Sequence, residues 1–96
     1  MLVLGEKELS KLAKKQPEAR KRLAEWLKLV RETDWTDIED LKNTYQQADG
    51  GVKGIYTVFN IGRAYRIITI IKYEIRTVSV VKACTHKEYD LWSKKM

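Results

Sequence analysis

The chain has 96 residues, a length that suits one domain spanning residues 1–96 and leaves no room for a second. Hydrophobic residues make up 44% of it, enough for a folded core, while no apolar run is long enough to cross a membrane and no signal-peptide pattern opens the chain. A formal charge of +6 points to an acidic or phosphate-bearing partner, and a single cysteine, Cys84, excludes an internal disulfide and fits a cytoplasmic protein.

In chain order, Met1 to Leu4 reads as a short strand. Glu6 to Lys15 reads as a helix with Leu9, Leu12 and Ala13 on one face. Pro17, with its fixed φ and missing N–H, suits the start of a second helix. That helix stripes Ala19, Leu23, Trp26, Leu27 and Val30 along one side and carries Arg20, Lys21, Glu25 and Lys28 on the other, so Trp26 is expected in the core. Thr36 followed by Glu39 is a capping-box spacing, which predicts a third helix from about Asp37 with Ile38, Leu41 and Tyr45 facing inward. Asp49, Gly50, Gly51 and Gly54 then predict a loop. Beyond it the period becomes extended: Ile55 to Asn60, Tyr65 to Tyr73 and Thr77 to Cys84 are rich in β-branched and aromatic residues, and their short connections imply an antiparallel meander. Thr85 and Glu88 repeat the capping-box spacing, so a last helix should begin at His86. The order β-α-α-α-β-β-β-α predicts an α+β domain, with the N-terminal helices packed on one face of a twisted antiparallel sheet and a short helix at the C-terminus.

Charge is unevenly distributed. Residues 1–31 hold nine Lys or Arg against four acids, residues 32–50 one against six, and residues 51–96 nine against three. The basic, strand-rich C-terminal segment is a candidate phosphate surface, whereas the lysines of residues 1–31 read as ordinary solvated helix faces. With one histidine and one cysteine, no metal-ligand spacing and no nucleotide-binding glycine loop is present, so neither a metal nor a cofactor is expected. Cys84 reads as a small buried residue near a strand end.

Three groups of residues could carry chemistry. Arg66 and Lys72 lie an even number of positions apart in one strand, so their side chains leave the same face, with Arg63 just upstream. They form either a phosphate cradle or two cations reaching past Ile68 and Ile70 to water. His86 and Tyr89 share a face at the start of the last helix, where open N–H groups would favour phosphate. There His86 could move a proton and Tyr89 could stack or donate; the plainer alternative is a capped helix with Tyr89 in the core. Tyr56, Tyr65 and Tyr73, beside basic residues, could stack single-stranded bases or simply pack the sheet.

Val58-Phe59-Asn60-Ile61-Gly62, Tyr65-Arg66-Ile67-Ile68 and Thr85-His86-Lys87-Glu88-Tyr89-Asp90, taken together, resemble the HigB toxin family, and the likeness extends over nearly the whole chain. The resemblance implies a RelE-like fold, cleavage of messenger RNA on the ribosome, and a HigA-like helix-turn-helix antitoxin as partner. On that reading His86, Arg66, Lys72 and Tyr89 are the catalytic candidates, while Arg63, Lys82, Asn60 and Lys87 are the RNA-binding ones. The 2′-hydroxyl would attack the adjacent phosphate, with Arg66 and Lys72 clamping it and His86 transferring a proton. This chain departs from the family pattern in two places: its hairpin is shortened to Gly62-Arg63-Ala64, and Val81 stands where a basic residue is usual, with Lys82 beside it. Two other functions remain open, a ParE-like toxin that blocks DNA gyrase and an RNA-binding module without activity.

Overall fold

The computed structural model describes residues 1–95. The elements run β1 (Leu2–Leu4), α1 (Lys7–Lys15), α2 (Arg20–Glu32), α3 (Ile38–Thr44), β2 (Ala48–Val52), β3 (Tyr56–Ile61), β4 (Tyr65–Lys72), β5 (Thr77–Thr85) and α4 (His86–Ser93), with 3₁₀ turns at Pro17–Ala19 and Tyr73–Ile75. The architecture is α+β around one five-stranded sheet of order β1-β5-β4-β3-β2. Four strands form the expected antiparallel meander, but β1 lies parallel to β5, with Leu2 opposite Thr77 and Leu4 opposite Ser79, so the sheet is mixed. The chain reaches β2 from β1 through three helices rather than a hairpin, so no turn forces β1 to run antiparallel.

The helices follow their apolar stripes. Leu9 and Leu12 of α1 and Leu23, Trp26 and Val30 of α2 are buried. Pro17 opens only the 3₁₀ turn, and α2 proper starts at Arg20. At α3 the predicted cap is displaced by one residue. Asp37, not Thr36, accepts the Asp40 backbone N–H at 2.8 Å, and Asp40 in turn accepts the Thr36 N–H at 3.0 Å. Aspartate is at least as good a cap as threonine, so Asp37 takes the cap, while the Asp40 carboxylate reaches back to Thr36 rather than to Asp37 and no full capping box forms.

The segment expected to be a loop at Asp49–Gly54 contains a strand. Ala48 is buried opposite Phe59, and Asp49 pairs with Val58 before the register breaks on the way to Val52. The glycines mark an edge bulge under α3: a Cβ on Gly50 would lie 2.9 Å from the Ile38 side chain. β5 is irregular too. Ile68 faces Lys82 and the next residue, Thr69, faces Val80, which leaves Val81 as an unpaired extra residue, 40% exposed. That extra residue resets the alternation: Val78 and Val80 point to the helix side, and Lys82 and Cys84 point to the other face.

Each face has its own core. On the helix side Phe59 is the hub, with the rings of Trp26, Trp35 and Tyr45 at 5.2, 6.0 and 5.5 Å. On the opposite face α4 lays Tyr89 and Trp92 over Val58, Ile68 and Cys84. Tyr56 meets Trp92 edge-on at 5.0 Å, and the Lys53 ammonium sits over that indole while donating to the Trp92 carbonyl at 2.7 Å. A cation at the carbonyl end of a helix opposes its dipole favourably, so Lys53 pins α4 across the sheet.

Candidate active site

The face under α4 gathers most of the candidate residues, and the β3–β4 hairpin fixes their geometry. Gly62 turns the chain with φ +61°, a conformation that disfavours any Cβ, and the Arg22 guanidinium packs where such a Cβ would stand. The hairpin carbonyls then face back along the sheet. Nη1 of Arg66 donates to the carbonyls of Tyr65 at 2.7 Å and Arg63 at 3.2 Å, with Gly62 at 3.5 Å. The Ala64 carbonyl accepts the His86 backbone N–H at 2.7 Å. One short turn therefore sets both the Arg66 guanidinium and the first residue of α4.

The two side chains meet. Arg66 Nη2 lies 2.8 Å from His86 Nδ1, and His86 Nε2 lies 3.2 Å from a carboxylate oxygen of Asp90, one helical turn on. Across the sheet, Asn60 on β3 and Cys84 on β5 stand opposite Arg66. The next row places Asp49 opposite Val58, Val58 opposite Ile68 and Ile68 opposite Lys82. Lys82 thus joins the site face through the Val81 bulge. Lys87 and Arg63 are exposed at its rim, on the first turn of α4 and at the hairpin tip. His86 and Asp90 keep about half of their side chains in solvent, at 53% and 49% exposure, so the site is an open surface.

Tyr89 is both wall and site residue. It stacks on Trp92 at 5.8 Å, and burial first, then the Asp49 carboxylate, push its hydroxyl above the usual phenol value, while the Arg66 charge pulls the other way. Its hydroxyl stays protonated at neutral pH and can donate a hydrogen bond. Cys84 is fully buried, and burial pushes its thiol up to about 11, which leaves it a packing residue, as expected.

Two expectations need correction. Lys72 shares the face of Arg66 but not its place: it lies six residues along β4, roughly 20 Å away by strand rise, exposed and opposite Thr77. No single phosphate reaches both. The start of α4 is not open for phosphate either. Thr85 and Glu88 form the full capping box, with the Thr85 N–H on the Glu88 carboxylate at 3.0 Å and the Glu88 N–H on the Thr85 hydroxyl at 3.2 Å. The Thr85 N–H first, then its hydroxyl and the charges of Lys15 and Lys82, hold the Glu88 carboxyl below the usual range, so an anion already occupies the helix start.

Sequence reasoning passed over two residues of this site. Asp90 was read only as part of a motif, although its spacing of four from His86 on a helix was a signal. Asp49 was lost with the strand that carries it. A cleft of about 620 Å³ lies between α2 and the hairpin, lined by Arg22, Trp26, Tyr45 and Gly62 among others; neither Arg66 nor His86 lines it. Among the described residues, no three His, Cys, Asp or Glu side chains gather as a metal-binding group, and no helix is long and apolar enough to cross a membrane.

A mixed sheet with α1, α2 and α3 on one face and a short C-terminal helix on the other is consistent with the RelE-like fold. Residues 19–92 match the model of the HigB toxin family, described as the RelE-like toxic component of a toxin–antitoxin system, and the chain belongs to that family. Membership implies an antitoxin partner. No curated protein sequence matches the chain.

Proposed function

We propose that this toxin is an endoribonuclease that cuts messenger RNA, with the ribosome holding the substrate and a HigA-like helix-turn-helix antitoxin restraining it. The observation that carries this reading is the 2.8 Å contact between the Arg66 guanidinium and the His86 imidazole on a basic, solvent-open face. RNA supplies its own nucleophile, so the protein needs only to orient the 2′-hydroxyl, neutralise charge on the phosphate oxygens and move protons.

In this reading Arg66 and Lys82 take the scissile phosphate, and Arg63, Lys87 and Asn60 guide the flanking strand. His86 exchanges the proton of the 2′-hydroxyl, and the Tyr89 hydroxyl donates to phosphate or base. Removing one such cation costs roughly 100-fold in rate, the usual loss for a single charge-stabilising donor. So few groups on so open a surface suit an enzyme whose substrate is presented by a larger particle.

Growth and message ends after brief induction test the proposal. The parent chain should arrest growth and leave new 5′ ends within coding sequences, and Arg66→Ala and His86→Ala should lose both effects. Arrest with intact messages and broken chromosomal DNA would point instead to gyrase. Undiminished toxicity of both variants would refute the site.

A further inference from the structure

We infer that Asp90 is a positioning residue that holds the neutral His86 ring with its proton on Nε2, so that Nδ1 is the atom that accepts the 2′-hydroxyl proton. The inference rests on the ribonuclease reading above and adds to it a named atom and a further residue. A guanidinium has donors and no acceptor. The Arg66 nitrogen 2.8 Å from Nδ1 must therefore donate, and Nδ1 must be the bare, accepting nitrogen of a neutral imidazole. The ring proton then sits on Nε2, the nitrogen that lies 3.2 Å from the Asp90 carboxylate. The three side chains form a relay in which every nitrogen of the ring has a partner of the right polarity.

This relay has a resting and a working arrangement. At rest Arg66 blocks Nδ1. Its Nη1 is already committed to hairpin carbonyls, so the guanidinium is anchored while Nη2 can exchange partners. Phosphate is a stronger acceptor for arginine than a neutral imidazole is, because the bond is charge-assisted. When a phosphate takes Nη2, Nδ1 is released within hydrogen-bond reach of that same phosphate and of the 2′-hydroxyl beside it. The 2′-hydroxyl proton passes to Nδ1, the 2′-oxygen bonds to phosphorus, and the bond from phosphorus to the 5′-oxygen breaks. The departing 5′-oxygen takes a proton from water. The products are a 2′,3′-cyclic phosphate and a 5′-hydroxyl, and the imidazolium, held against Asp90 through Nε2, returns its proton to solvent. The base is thus exposed only when substrate is present.

His86 is the sole histidine of the chain, so its ring can be read directly by long-range proton–nitrogen NMR of the intact protein. The expected spectrum has the proton on Nε2; in Arg66→Ala, where Asp90 alone holds the ring, it should stay there, and adding Asp90→Ala should turn it into a mixture of the two tautomers. A proton on Nδ1 in the parent protein overturns the inference whatever the kinetics show. Cleavage of a message loaded on purified ribosomes supplies the second readout. Asp90→Ala should lower kcat by about 100-fold, within the range contributed by a positioned proton-transfer group, and leave KM within about threefold. Asp90→Glu should recover part of the loss. If Asp90→Ala cuts like the parent while His86→Ala is inert, Asp90 has no such role and the ribonuclease reading stands. If His86→Ala cuts like the parent, it is the site itself that falls.

Discussion

Removing a residue from the middle of a β-strand ordinarily flips every side chain beyond it and unfolds a small domain. Val81 is the place where this should not happen. It is the extra residue of the β5 bulge, so deleting it joins Val80 and Lys82 directly. Val80 still faces Thr69 and Lys82 still faces Ile68 in a plain alternating strand. The loss is the buried part of one valine that is 40% exposed, about 1 kcal/mol, or about 4–8 °C in melting temperature for a domain of this size. The same deletion in the regular strand β4 is a different matter. Without Ile67, Arg66 moves into a position that is fully buried among the helix-side residues. An unpaired charge there costs several kcal/mol, a large share of the roughly 5–15 kcal/mol that hold such domains together. Both deletions can be expressed in a His86→Ala background and melted by circular dichroism. Folded ΔVal81 and unfolded ΔIle67 are the expected results, and equal damage from the two would refute the bulge and with it the placement of Lys82.

Lys82→Ala should reduce message cleavage roughly 100-fold, whereas Lys72→Ala, at the far end of β4, should cut like the parent; a comparison of cleavage rates decides. Gly62→Ala forces a Cβ into a left-handed turn already packed by Arg22, so it should cost about 1–2 kcal/mol in thermal or urea melts and loosen Arg66 as well. Thr85→Ala should cost about 1 kcal/mol as the loss of a helix cap. The Glu88 carboxyl titrates lower in the folded chain than the ordinary 4.5. Its contribution is therefore complete above that value and lost as pH falls through the lower, folded one, and melts below pH 4.5 should show the parent losing an advantage that Glu88→Gln never had.

What could be read from the chain was what local chemistry decides. Thr85 and Glu88 cap α4 as their spacing implies, Trp26 lies in the core as its stripe implies, and the β-branched runs became β3, β4 and β5. What escaped was set by tertiary partners. Asp49, Gly50 and Gly51 have turn chemistry, and they form a strand only because β3 offers an open edge and α3 comes too close for a side chain at Gly50. Thr36 and Asp37 are both acceptable caps with an acid three residues on, so pattern alone did not choose between them. Strand parity placed Arg66 and Lys72 on one face correctly, and their six-residue spacing along a strand already sets them at its two ends, too far apart for one phosphate. The reverse held for Lys82: simple alternation from Val80 assigns it to the wrong side, and the one-residue shift from the family pattern at Val81 was the trace of the bulge in the sequence.

The end groups of a message cut by the purified toxin on ribosomes bear most directly on the proposal that a guanidinium and an imidazole act on one RNA phosphate. A 2′,3′-cyclic phosphate on the upstream fragment and a 5′-hydroxyl on the downstream one are the products that such a site must leave. A 3′-hydroxyl paired with a 5′-phosphate would show that water, not the neighbouring ribose, attacked, and would contradict the mechanism built on Arg66 and His86.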